Sequence, residues 1–299
     1  MATHVCYARV ATLICHLTGM STFVRHYLLS LQFFTRIPVT GRLADWVGYS
    51  PAMLRASAGH FPGVGVLVGA LVAVCTALLL VTLPPGPMAP LVAAVLGTVL
   101  SVMLTGAFHE DGLADVADGL GGSQDRNRAL EIMKDSRVGA FGALAVVLAL
   151  LSKVSLLALI GSVSPHWMVL GIFAAHVVSR SWPLLLIRLM PHVGDAAGSK
   201  SKPLADQISG AALVTAFIWC FGALALAGCA QAAINSVATT GRMGFNWAPW
   251  LAGMGASGLA FAYMGRLLQR RLQGFTGDGL GATQQVCEIG FYLGLALVL

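Results

Sequence analysis

Acidic side chains are scarce in this sequence: twelve Asp and Glu among 299 residues, against eighteen Lys and Arg. Charged residues of both signs make up 10%, where a soluble globular domain has roughly 25%. A chain that is also 57% hydrophobic, with mean hydropathy +0.80, reads as a multi-span membrane protein in contact with the lipid bilayer. The six cysteines (Cys6, Cys15, Cys75, Cys220, Cys229, Cys287) show no C-x-x-C spacing, so neither a disulfide framework nor a zinc site is implied. His109-Glu110 opens like a zincin motif but has Leu113 where the second His would stand. The net charge of +6 is what a positive-inside bias produces, and nucleic acid is not an expected partner. No Ser-His-Asp set or reactive cysteine is evident, which argues against a protein nucleophile.

The few acids are gathered. Seven of the twelve (Glu110, Asp111, Asp115, Asp118, Asp125, Glu131, Asp135) fall between positions 110 and 135. From His109 to Asp125 there is no Lys or Arg to neutralise them. Asp111, Asp115 and Asp118 are spaced i, i+4, i+7, which puts them in one stripe of a helix where like charges repel. A hard divalent cation turns that repulsion into coordination, and Mg²⁺, which favours carboxylates together with substrate phosphates, suits it best. Glu110, Asp111, Asp115 and Asp118 are the candidate metal ligands; a solvated acidic face is the plain alternative.

The expected fold is all-α, a polytopic transmembrane bundle of about seven spans with short cytoplasmic helices carrying the acidic metal site. Residues 1–60 form an N-terminal cytoplasmic segment, and 61–299 the transmembrane catalytic domain. Residues 21–39 (Phe23, Val24, Tyr27, Leu28, Leu31, Phe34, with Arg25 and Arg36) suit an amphipathic helix at the interface or an ordinary packed helix. Translation starting at Met20 instead of Met1 is compatible with the sequence. Spans are expected at 61–83, 88–108, 139–161, 166–190, 208–230, 247–265 and 280–299, the last weakened by Gln284, Gln285 and Glu288. With loops assigned alternately to two sides, one side holds fourteen of the eighteen Lys and Arg residues and the other only Arg242. The basic side is cytoplasmic by the positive-inside rule, and eleven of the twelve acids lie there too. In a bacterium this is the inner membrane, with the active site facing the cytoplasm.

After Gly119, Gly121 and Gly122, Ser123 or Asp125 can cap a second helix running to Arg137. If it packs beside the first, Glu131 and Asp135 bring the pocket to five carboxylates; an exposed helix with an ordinary ion pair is the alternative. Asp118, Glu131, Asp135 and Arg137 are the candidate catalytic residues, and Arg137 and Lys134 are placed to contact phosphate. Lys153 and Arg180 lie within expected spans, where charge is costly unless it faces a polar cavity or a partner. They are candidates for substrate phosphate, or else members of structural ion pairs. Lys200 and Lys202, in Gly198-Ser199-Lys200-Ser201-Lys202-Pro203, form an anion clamp or simply a charged loop. Asp278, between Gly277 and Gly279, is placed to bind substrate or metal. The combination suggests metal-assisted transfer of a phosphate-linked group.

The chain resembles the cobalamin synthase family over most of its length. The resemblance is carried by Phe33-Phe34-Thr35-Arg36-Ile37-Pro38-Val39, by His109-Glu110-Asp111-Gly112-Leu113-Ala114-Asp115-Val116-Ala117-Asp118-Gly119, by Leu130 through Gly142, and by Thr276-Gly277-Asp278-Gly279-Leu280-Gly281-Ala282. It implies a Mg²⁺-dependent integral membrane enzyme of late vitamin B12 synthesis. Such an enzyme joins α-ribazole or its 5′-phosphate to adenosylcobinamide-GDP and releases GMP. A shorter similarity, Asp115-Val116-Ala117-Asp118-Gly119 with Glu131 and Asp135, is to CDP-alcohol phosphotransferases. Their central Ala-Arg is replaced here by Gly122-Ser123. A homo-oligomer is compatible with the sequence.

Overall fold

The computed structural model describes residues 20–194, 207–238 and 245–299. They form helices joined by short turns, with no strand among the described residues beyond one isolated bridge between His192 and Phe275. In chain order these are α1 (20–34), α2 (Gly41–Val47), α3 (Pro51–Ser57), a 3-10 turn (Ala58–His60), α4 (Phe61–Thr82) and α5 (Ala89–Thr105). They continue as α6 (Phe108–Gly122), α7 (Arg126–Ile132), α8 (Ala140–Val163), α9 (Pro165–Leu189), α10 (Gly210–Ala238), α11 (Ala248–Leu272) and α12 (Gly277–Ala296).

Every expected span is a helix within a few residues of its expected limits, apart from α10, which runs on to Ala238, and α11, which runs on to Leu272. Four stretches are long and apolar enough to cross a membrane: Pro51–Thr82, α8, α9 and Gly210–Val237. The count becomes five if α5 and α6 form one bent span. α11 and α12 have the length but not the apolarity. Gln284, Gln285 and Glu288 dilute α12 and are all buried in the protein, so this helix is solvated by its neighbours. The short connections at 83–88 and Ser164 make α4–α5 and α8–α9 antiparallel neighbours in contact.

The break that places the acids lies between α5 and α6. Gly106 (φ 67°) closes α5 in the left-handed conformation, and Ala107 (φ 59°) repeats it. Two successive left-handed residues turn the chain by 89°. A side chain at Gly106 would be strained by φ and would overlap Arg36. If α5 crosses the bilayer, α6 then lies along its surface, which keeps Asp111 and Asp115 out of the apolar core.

α9 and α12 are the central elements. α9 packs on α4, and α12 packs on α11, α6 and α9. The close approaches use small residues, as in membrane bundles where backbone must meet backbone. Gly65 faces the carbonyl of His176, Gly290 that of Ala256, and Gly294 that of Ala252.

Gly294→Val should force α11 and α12 apart, an overpacking worth about 1–3 kcal/mol, and lower the unfolding midpoint of the detergent-solubilised protein. Gly255→Ala, with nothing within 4 Å of the added carbon, should leave the midpoint unchanged or slightly raised. Equal midpoints for parent and Gly294→Val would refute this packing.

Candidate active site

α6 is held from three sides. Its Asp118 carboxylate reaches the first turn of α8: Oδ2 accepts from the Gly139 N–H at 2.7 Å and Oδ1 from the Gly142 N–H at 2.8 Å. Those amides have no intrahelical partner, and a negative charge there also meets the positive end of the helix dipole. A Cβ at either glycine would overlap the carboxylate, which accounts for the Gly139-Ala140-Phe141-Gly142 pattern.

Gly112 lets the backbone of Asp278 approach so closely that an added Cβ would lie 2.8 Å from its carbonyl oxygen. Thr276 caps α12, its Oγ1 accepting from the Gly279 N–H at 3.1 Å, and this presents Asp278 in the first turn. Burial raises the Asp115 carboxyl to about 7, aided by the charges of Asp278, Asp111 and Asp118 in that order. Asp278 is pushed up to about 6, by burial first and then by Asp111. Among the described residues, every charged neighbour acting on Asp115 is therefore another acid. The donor chemistry fits a hard divalent cation, although among the described residues no three His, Cys, Asp or Glu side chains converge tightly enough to hold a metal ion as they stand.

At the end of the same helices two arginines clasp main-chain carbonyls. Arg126 Nε donates to Leu272 O at the end of α11 (2.7 Å). Arg271 donates to Leu120 O and Ser123 O at the end of α6 (3.1 and 2.6 Å). Asp125 caps α7 by accepting from the Arg128 N–H at 2.8 Å, one of the two caps expected.

Other expected residues lie elsewhere. The second helix stops at Ile132 and does not reach Arg137. Glu131 does not join the acidic pocket. It pairs with Arg128 at 2.9 Å on the exposed face, the side chains being 63% and 66% exposed. Asp135 likewise turns to Arg137, which donates to it through Nε and the backbone N–H at 2.9 and 3.1 Å. Those bonds hold the Asp135 carboxyl down at about 2. The pocket of five carboxylates on two short helices is thus corrected: the partner of α6 is Asp278 on α12. Lys134 is exposed in the turn after α7.

Glu110 is buried and turned from the acidic stripe, its Oε1 accepting from Gln285 Nε2 at 3.1 Å. Lys153 is also buried and pairs with Glu288 at 2.7 Å. Arg180 is enclosed, donating to His176 O at 2.8 Å and lying 5.7 Å over the Phe61 ring. The structural ion pair, not the open phosphate site, is where Lys153 sits. Lys200 and Lys202 lie outside the described residues. Reading the sequence missed Gln284, Gln285, Glu288 and His176 as functional neighbours. The available signal was the complementarity of Glu288 to Lys153, each a lone full charge within its own apolar run.

The profile of the cobalamin-5-phosphate synthase family matches residues 26–296. A protein of Albidiferax ferrireducens named adenosylcobinamide-GDP ribazoletransferase is 71% identical over 93% of this chain and 99% of its own length. Proteins of the same name from Polaromonas sp. (61% identical, 94% of this chain, 99% of that protein) and Vibrio cholerae (40%, 89% and 91%) are also similar. No solved structure matches.

The raised Asp115 carboxyl sets a pH dependence. An acid whose folded pKa is about 7, against an ordinary value of 3.8, binds its proton more tightly when folded. Its contribution to stability therefore falls as pH rises from about 4 to about 7 and then levels off. Thermal unfolding in detergent with chelator should show this decline for the parent and a flatter profile for Asp115→Asn. Superimposable profiles would contradict the acidic cluster.

Proposed function

Because the chain belongs to the cobalamin-5-phosphate synthase family, we propose that it joins α-ribazole, or its 5′-phosphate, to adenosylcobinamide-GDP, releasing GMP and forming adenosylcobalamin or its 5′-phosphate. The observation that carries the site assignment is the meeting of Asp278 with Asp111 and Asp115, from segments more than 160 residues apart, in a cluster that among the described residues consists of acids. Asp111, Asp115 and Asp278 are the residues that would hold Mg²⁺. Bound there, Mg²⁺ would neutralise the diphosphate and stabilise the departing oxygen.

The ribazole hydroxyl oxygen attacks the phosphorus that carries cobinamide. The bond from that phosphorus to the bridging oxygen breaks, and GMP leaves with the bond's electrons and the bridging oxygen. The hydroxyl proton passes to a carboxylate of the cluster and then to solvent. Asp135, held ionised by Arg137, is a poor base for this step. Asp118, whose oxygens each accept a backbone N–H, fixes the helix that presents the others. Arg137 and Lys134, exposed on the connection between α7 and α8, are cationic candidates for the phosphates, and Lys200 and Lys202 are candidates of the same kind.

The seven long helices are read as spans. The short helices α6 and α7 then lie on the cytoplasmic side of the inner membrane, because the basic loops are on that side. The 89° bend supports this placement by turning α6 away from the course of α5.

Membranes containing the protein, given adenosylcobinamide-GDP and α-ribazole, should form the joined product and GMP with Mg²⁺ and lose both with chelator. Asp115→Asn should cut turnover at least about 100-fold while inserting normally. Full activity in that variant, or in chelator, would remove the metal role. Release of CMP from a CDP-lipid would instead support the shorter similarity to CDP-alcohol phosphotransferases.

A further inference from the structure

A continuous line of buried polar groups runs from within the helix bundle to the base of the acidic helix. It begins at Lys153 on α8, paired with Glu288 Oε1 on α12 at 2.7 Å, both side chains almost fully enclosed. The same carboxylate accepts from Tyr292 OH at 3.0 Å through Oε1 and from Gln284 Nε2 at 2.9 Å through Oε2. His176 Nδ1 stands 3.9 Å from Oε1, and Arg180 NH1 lies 3.0 Å from that nitrogen. Gln284 is tied to α9 through Ser179 Oγ at 2.9 Å. Gln285 Nε2 then donates both to Gln284 Oε1 and to Glu110 Oε1, each at 3.1 Å.

The line ends on the residue immediately before Asp111. Glu110 is 7% exposed, and its second oxygen, like His109 Nε2 beside it, is buried without a hydrogen-bond partner. A carboxylate is left this way only if the surroundings fix it, since an unpaired buried acceptor is costly. Two acids (Glu110, Glu288) and two bases (Lys153, Arg180) balance in charge, so the group is self-contained and needs no external ion. Among the described residues, the acids of the cluster have no such compensation.

We propose that Glu110 is a positioning residue and not a metal ligand. Its bond to Gln285 ties α6 to the Lys153–Glu288 pair and sets the rotation of α6 about its axis. At 100° per residue, that rotation decides whether Asp111 and Asp115 face Asp278. The role assigned to the acids rests on the function proposed above.

Exchanging the two groups tests this in the full-length protein. Gln285→Glu sets two carboxylates against each other and should weaken Mn²⁺ binding, read by electron paramagnetic resonance in detergent, about tenfold. It should lower kcat by at least as much, with KM for the nucleotide substrate little changed. The double variant Glu110→Gln with Gln285→Glu restores one carboxylate and one amide. It should return both Mn²⁺ affinity and kcat to within about threefold of the parent.

A metal-ligating Glu110 predicts the opposite: the exchange stays as impaired as Glu110→Gln alone. Gln285→Met, which keeps volume without the bond, serves if Gln285→Glu does not fold, and parental Mn²⁺ affinity in Gln285→Met would overturn the proposal. If no variant, parent included, forms product while Mn²⁺ affinity follows the expected pattern, the assigned reaction fails and the positioning role stands.

Discussion

An apolar medium does not tolerate uncompensated charge, and the whole arrangement follows from where each charge finds its compensation. Inside the bundle, Lys153 and Glu288 meet at 2.7 Å and the remaining valences of Glu288 are filled by Tyr292 and Gln284. At the surface, Arg128 with Glu131 and Arg137 with Asp135 are local pairs that solvent would screen in any case. Among the described residues Asp111, Asp115 and Asp278 are left to one another, and burial first, then their mutual charge, pushes Asp115 and Asp278 up.

Local chain geometry makes this division possible. The left-handed pair Gly106–Ala107 turns α6 away from the course of α5. Gly112 admits the start of α12, and Gly139 with Gly142 admit the Asp118 carboxylate. Helix and pocket are thus positioned by residues that have almost no side chain, while the chemistry is left to the acids between them.

Much of this was legible in the sequence. Long apolar runs mark where helices lie, so all seven long helices are legible, although polar and charged last turns carry α10 and α11 seven or eight residues past the apolar runs, and the density of acids around Asp115 is plain. The membership of Asp278 was also readable, from its glycine-flanked motif. Which charges pair was not. Glu131 and Asp135 have arginines three and two residues away, and solvent let those local contacts form instead of a shared pocket. Lys153 and Glu288 are 135 residues apart, and nothing in helical periodicity reports which faces of α8 and α12 meet. The hydropathy that located α12 also understated it: its glutamines and glutamate lower the apolar signal because the helix is surrounded by protein.

The clasp made by Arg126 and Arg271 ends on the main-chain oxygens of Leu272, Leu120 and Ser123. A carbonyl is supplied by every amino acid, so the acceptor positions impose no chemical identity on what occupies them. Leu120 and Leu272 are held to apolar side chains by their burial in the core, but Ser123 can drift without unlocking the aqueous end of the bundle, while the two guanidinium donors have no such latitude.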